Sequence, residues 1–300
     1  LADDYSVRNR ARRDPFIRHL HAFRGFAILN ICAIHAIWLQ TYIAGSAASS
    51  VGITALSVAN EVLFHDSTLY FTLISGLLFS LILQKRGWPY FFRSKLRNVV
   101  YPYTAMTLLF TWYGLNFEYI YTRPYDGSEG LLAGPFNGGL LDYVHDVARN
   151  LIKGEAMFHL WYIPVLICLY IATPLIARAL AQDSLRSLIL PVILLPLVAS
   201  RTDIVVSLGS VAYFLGAYSV GMFAGKYYEQ TLVVMRRNRY VLAALAFTMT
   251  LALIALFTVG VDFYGPVSIR ETVFYVQKLS IAALVLVWFH AREAQLPRFL

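Results

Sequence analysis

Charge is scarce in this chain: Asp, Glu, Lys and Arg make up 14% of it, against about 25% in an ordinary soluble domain. That shortfall excludes a water-soluble enzyme and a disordered chain. Cysteine is scarce too. Cys32 and Cys168 lie in apolar runs with no metal-ligand spacing, so neither a disulfide framework nor a metal site is expected, and both read as packing residues. Internal repeats and low-complexity tracts are also missing, and no cleavable signal peptide is expected, because the first apolar segment follows a basic stretch and is long enough to span.

What the chain does have is apolar length: 58% of its 300 residues are hydrophobic and the mean hydropathy is +0.59. A hydrocarbon core about 30 Å thick takes about 20 helical residues to cross. Eight apolar segments stand out, at 24–44, 58–84, 99–117, 159–177, 187–200, 204–225, 240–260 and 272–291. The expectation is an all-α polytopic transmembrane bundle, and a β-barrel, with its alternating segments of about 10 residues, is excluded. The fifth segment is short and holds Pro191 and Pro196, so a kinked or partial crossing is expected there.

The net charge of +8 does not read as a nucleic-acid surface, because the basic residues sit at the ends of apolar segments and form no stripe. If all eight segments cross, nineteen of the 25 Lys and Arg fall on one side, in 1–24, 85–97, 178–186, 226–239 and 292–298. The other side holds five, Arg123, Arg149, Lys153, Arg201 and Arg270. By the positive-inside rule the N-terminus is cytoplasmic, as expected for a multi-pass protein of the cytoplasmic (inner) membrane. Residues 1–300 read as a single integral-membrane domain, and 118–158 as an acidic extracytoplasmic loop whose stretch from Asp142 to Glu155 lies on the interface.

Chemistry must then come from polar groups placed where a bilayer makes them costly. Arg24 opens the first segment and His35 lies at its middle. Eleven residues make about three helical turns, or roughly 16 Å, so the two share a face. Imidazole is the side chain best matched to moving a proton near neutral pH. The plainer alternative is a snorkelling Arg and a His satisfied by a neighbouring helix. The second segment carries Glu61, His65 and Asp66, with Glu61 and His65 four apart and able to pair, then Ser75-Gly76, which reads more simply as a helix-packing notch than as a nucleophile. Arg93 and Arg97, also four apart, can hold a phosphate between two guanidiniums. They also fit a topology signal or a contact to anionic lipid. His159, Trp161 and Tyr162 open the fourth segment, and Lys278 sits within the last, where it snorkels or neutralises a carboxylate such as Glu61.

Taken in order, Arg24 with His35 after ten intervening residues, Phe71 to Leu77 with its Ser-Gly pair, Arg93-x-x-x-Arg97 leading to Tyr101-Pro102, and His159-Leu160-Trp161-Tyr162-Ile163-Pro164 resemble the successive motifs of the acyltransferase-3 family. The match in order and spacing runs over roughly 18–180. Two departures stand out. The family's usual ten spans imply that the last pair is lacking here, and the acid common just before the Ser-Gly pair is replaced by Leu69, with Asp66 one turn earlier.

The resemblance implies a membrane O-acyltransferase that moves an acyl group, most readily acetyl, from cytoplasmic acyl-CoA to a hydroxyl of a surface glycan or lipid-linked sugar, without a metal. It implies His35 as general base, with Arg24 fixing the donor or the His. Arg93 and Arg97, with Ser75 and Gly76, would contact the donor. Glu61, His65, Asp66, His159, Trp161 and Tyr162 would meet the acceptor. The main competing reading is a transporter or flippase with Arg24, Glu61, Asp66 and Lys278 along the substrate path, although the paired halves usual for transporters are missing. A scaffold subunit without turnover is a third. Thiol release from acetyl-CoA separates the enzyme from both.

Overall fold

Hydrocarbon offers a backbone no hydrogen-bond partner but itself, and apolar runs of this length resolve that by becoming helices. The computed structural model of the protein describes residues 18–44, 51–113, 136, 138–157, 160–201, 206–264 and 267–296; the side chains of 37–44, 51–54 and Tyr264 stand outside that description. The chain begins with α1 (Arg18–Ala44), α2 (Val51–Phe64) and α3 (Thr68–Leu78), which runs on through a π turn and a 3-10 turn to Arg86. Next come α4 (Trp88–Lys95), a π turn at Leu96–Val100, α5 (Tyr101–Tyr113), α6 (Leu140–Lys153) and α7 (Tyr162–Ala181). Two short helices, α8 (Asp183–Arg186) and α9 (Ile189–Leu194), precede α10 (Leu208–Lys226), α11 (Tyr228–Arg237) and α12 (Arg239–Val259). A two-residue hairpin, β1 (Phe263–Tyr264) with β2 (Val267–Ser268), leads into α13 (Ile269–Ala291).

Among the described residues, five stretches are long and apolar enough to cross a membrane: Ala55–Arg86, α7, α10, α12 and α13. They cover five of the eight expected segments. The first expected segment lies within α1, and the third within α5 up to residue 113. The fifth differs. Residues 187–200 form only the six-residue α9 and a 3-10 turn at Leu195–Leu197, and six residues rise about 9 Å. Its two prolines each remove a backbone donor, and the segment cannot cross as one helix.

The packing centre is the pair α3 and α10. Gly221 and Gly225 of α10 sit against the carbonyls of Leu73 and Leu77 of α3, four residues apart on both helices, so the two run parallel. A Cβ on Gly76 would lie 2.2 Å from the Tyr218 carbonyl oxygen, and one on Gly221 2.0 Å from that of Leu73. Only glycine permits this approach, the small-residue mode of membrane helices. α13 runs the same way: Gln277 and Lys278 reach the carbonyls of Val62 and Leu63, while Ala282 and Leu286 pack with Leu73 and Leu77. α1 runs oppositely, with His19 near Glu293 and the Ile34 carbonyl 3.5 Å from Asn60. α12 buries Leu253 against Val62 and Phe274 but leaves many of its large apolar side chains exposed, as the rim of the bundle does elsewhere. Both cysteines are exposed as well, so they lie on the outside of the bundle and do not pack its core.

α6 is the described part of the expected outer loop. It lies along α5, with the Tyr143 hydroxyl donating to the Leu108 carbonyl and that of Tyr103 to the carbonyls of Asn150 and Leu151. Tyr143, Val147, Asn150 and Leu151 face α5, while Leu140, Leu141, Val144 and Ile152 form an exposed apolar stripe beside the charged residues Asp142 and Arg149, the pattern of an amphipathic helix.

Candidate functional site

The second apolar segment does not continue as one helix. A turn at His65-Asp66-Ser67 separates α2 from α3, and Asp66 has φ of +56°, positive among non-glycine residues. Side chains such as Asp tolerate that conformation because they bond locally. The turn aims the Asp66 carboxylate into the bundle, where it is fully buried. Arg201, just before α10, meets it at 2.7 Å through Nη2, and through Nε donates to Glu271 Oε1 at 2.9 Å. The backbone N–H of Arg201 donates to the other Glu271 oxygen at 2.6 Å. The Tyr213 hydroxyl donates to Asp66 Oδ2 at 2.9 Å. Burial opposes the charge on Arg201, but Asp66 and Glu271 reverse that and raise its pKa above the usual guanidinium value. The Trp161 ring lies 5.4 Å from the same guanidinium.

His65 is tied into this frame. Its Nε2 lies 3.1 Å from Arg201 Nη2. A guanidinium can only donate, so Nε2 must present its lone pair. The proton of the neutral imidazole then sits on Nδ1 and is donated to Glu61 Oε2 at 2.8 Å. The expected Glu61–His65 pairing is present, and the network extends it to Arg201. Beside it opens a cavity of about 270 Å³ whose walls include Glu61, His65, Arg201, Arg270, Phe257 and Phe274.

Other expected contacts fall elsewhere. Asp66 is sealed behind Arg201 and does not line the cavity. Tyr162 is buried with its hydroxyl 2.7 Å from that of Thr72, so it joins α7 to α3. Lys278 neither snorkels nor pairs with Glu61; it is completely buried and donates to the Leu63 carbonyl at 2.7 Å. His159 lies outside the described residues.

The other candidates lie away from the cavity walls, Arg24 and the Arg93–Arg97 run toward the opposite end and His35 beside Ile34, at the depth of Asn60. Arg24 and His35 share the unbroken α1, Arg24 exposed and His35 half-buried, on the flank of the packed stripe of Leu20, Phe23, Ala27 and Asn30. Gly76 is buried with its Cβ position filled by Tyr218; it permits helix contact and leaves no room for a donor. Ser75 shares a hydrogen bond with Tyr170. Arg93 and Arg97 are exposed. The base of that run which faces inward is Lys95, its Nζ 4.3 Å from the Tyr170 ring centre. Burial, with the nearby charge of Arg24, pushes the Lys95 ammonium down to about 8.

Sequence reasoning missed Arg201 as more than a topology charge, and missed Glu271, Tyr213 and Lys95. Only Glu271 carried a signal, an acid in the first turn of an apolar helix.

Apolar crossing helices around buried ionisable groups define a multi-pass integral membrane protein. A model of the acyltransferase-3 family, described as an acyltransferase domain, matches residues 17–299. The chain belongs to that family and is a membrane acyltransferase. No curated protein and no solved structure gave a match.

Proposed function

We propose that the protein transfers an acyl group, acetyl first among them, from acyl-CoA to a hydroxyl of a glycan or lipid-linked sugar. Family membership over residues 17–299 carries this reading, and the separation of a basic end from an acid-rich cavity end supports it. The donor's phosphates lie against Arg24, Lys95, Arg93 and Arg97, and its thioester reaches along α1 toward His35. The acceptor comes from the other end, where Glu61 and His65 position it. Its hydroxyl oxygen attacks the thioester carbonyl carbon while His35 takes the hydroxyl proton. A C–O bond forms, the C–S bond breaks, and the protonated His35 returns its proton to the leaving thiolate. Arg24 holds the donor or orients the imidazole. In this reading the basic end is cytoplasmic, the cavity end is extracytoplasmic, and the chain sits in the inner membrane.

The test is thiol release from acetyl-CoA by purified protein with a glycan extract. His35→Gln keeps size and polarity but has no basic nitrogen, so turnover should fall about 10²-fold or more while the protein still folds. Near wild-type transfer by a folded His35→Gln protein removes His35 from the chemistry.

A further inference from the structure

Six ionisable side chains line the cavity, and the four of them joined around Arg201 differ in their capacity to bind a ligand. His65 has both ring nitrogens engaged, Nδ1 by Glu61 and Nε2 by Arg201. The Arg201 side chain is 6% exposed, and its fork is shared among Asp66, Glu271 and His65. Glu271 binds the Arg201 backbone and side chain with its two oxygens. Glu61 differs. Its carboxylate is 34% exposed, lines the cavity, and spends one oxygen on His65.

We propose, resting on the acyltransferase reading above, that this cavity is the acceptor subsite, in which Glu61 accepts the hydrogen bond of a sugar hydroxyl. The Asp66–Arg201–Glu271 frame acts behind it, through His65, to hold the carboxylate in one position. Of the three residues first expected to touch the acceptor here, one touches it and the other two are positioning residues.

Four observations select that ligand. A carboxylate can only accept, so its ligand must bring a donor, as a hydroxyl does and a thioester carbonyl or a phosphate does not. The walls set Glu61, Asp262 and Glu271 against Arg201 and Arg270, with no positive surplus to attract phosphate, so the CoA end of the donor is not its occupant. Phe257, Phe263 and Phe274 add aromatic faces, which suit the C–H face of a sugar ring. The volume, about 270 Å³, sits just below the roughly 300–1,000 Å³ of small-molecule pockets, which suits one ring and not a long oligosaccharide. The site also lies at the right depth: Asn60, beside Glu61, reaches the carbonyl of Ile34, beside His35, at 3.5 Å.

The experiment follows thiol release from acetyl-CoA by the full-length protein in detergent, alone and with glucose, galactose or N-acetylglucosamine as probes. Wild type should be accelerated by at least one sugar, and labelled acetyl should appear on it. Glu61→Gln keeps the shape but loses the charge, and should raise the sugar concentration for half-acceleration about tenfold or more. A second variant guards against misfolding of the first. Phe263 is 53% exposed at the cavity wall, so Phe263→Cys, in a protein with the exposed Cys32 and Cys168 replaced, should label with a bulky neutral maleimide, and labelling should abolish the acceleration. Acceleration that survives both changes overturns the proposal, as does thiol release that none of the sugars accelerates. A wild-type protein that releases no thiol at all fails at the earlier step and overturns the acyl-CoA reading instead.

Discussion

Replacing Arg201 with methionine should be among the most damaging single changes in the bundle. The guanidinium makes a 2.7 Å contact to Asp66, a 2.9 Å bond to Glu271 and a 3.1 Å bond to His65. Methionine fills much of the volume but leaves Asp66 fully buried, with the Tyr213 hydroxyl as its hydrogen-bond donor and His65 Nε2 3.9 Å away. Removing one partner of a buried pair costs about 3–5 kcal/mol, because the charge left behind is uncompensated. That corresponds to a fall in unfolding temperature on the order of 10 °C. Arg201→Lys keeps the charge without the planar fork, and should lose less. Adding Asp66→Asn to Arg201→Met should restore part of the loss, since it removes the orphaned charge. Thermal unfolding in detergent, followed by size-exclusion recovery, reads all three. If Arg201→Met unfolds at the wild-type temperature, or Asp66→Asn deepens its loss, the buried frame described above is wrong.

Gly221→Ala would set a methyl 2.0 Å from the Leu73 carbonyl oxygen, whereas Gly25→Ala meets nothing within 4 Å. The first should cost at least about 1–3 kcal/mol by overpacking and the second almost nothing, read by the same unfolding assay. Lys95 titrates near 8, below its value in an unfolded chain. Its ammonium therefore costs stability at lower pH, and that cost fades as pH rises from about 8 to 10. Phosphate favours the charged form, so acyl-CoA binding measured by calorimetry should weaken as pH rises through 8, and Lys95→Arg should flatten the profile. A flat wild-type profile would exclude Lys95 from the donor site. Single cysteines at Ser94 and Phe263, with Cys32 and Cys168 replaced, should react with impermeant maleimide from opposite sides of the membrane; labelling of both from one side would contradict the topology.

The apolar runs at 58–84, 159–177, 204–225, 240–260 and 272–291 were legible because hydropathy over about 20 residues is a strong local signal. The Glu61–His65 pair was legible for the same reason, since an i, i+4 spacing on a helix fixes proximity. The remainder of the site depends on contacts that spacing does not encode. Arg201 meets residues 135 positions before it and 70 after it, and in the sequence it looks like any charge at a segment end. Lys95 was hidden by its neighbours: Arg93 and Arg97 bracket it, yet the helix turns it inward and leaves them exposed. The fifth segment looked apolar enough to span, and its two prolines were the signal that it would break into the short α9 and a 3-10 turn.

Stability alone does not account for the polar end of this bundle. A buried ion pair gains about as much from its Coulomb attraction as it loses in desolvation, and well-packed apolar residues in its place are often neutral or better. Yet Asp66, Arg201 and Glu271 are placed together where α3, α10 and α13 begin, with Asp66 in a left-handed backbone conformation. Such a network offers directional bonds where apolar contact offers none. Arg201 has one geometry that serves Asp66, Glu271 and His65 together, and that geometry fixes which nitrogen of His65 carries the proton and therefore where Glu61 is held. The three helix starts are locked to one another by the same bonds, which hold the carboxylate at the cavity wall in one position. Positional control over Glu61 is what the arrangement provides beyond folding, and it explains why the ionisable groups gather at this end of the three parallel helices while the middle of the α3–α10 contact is built from glycine and apolar side chains.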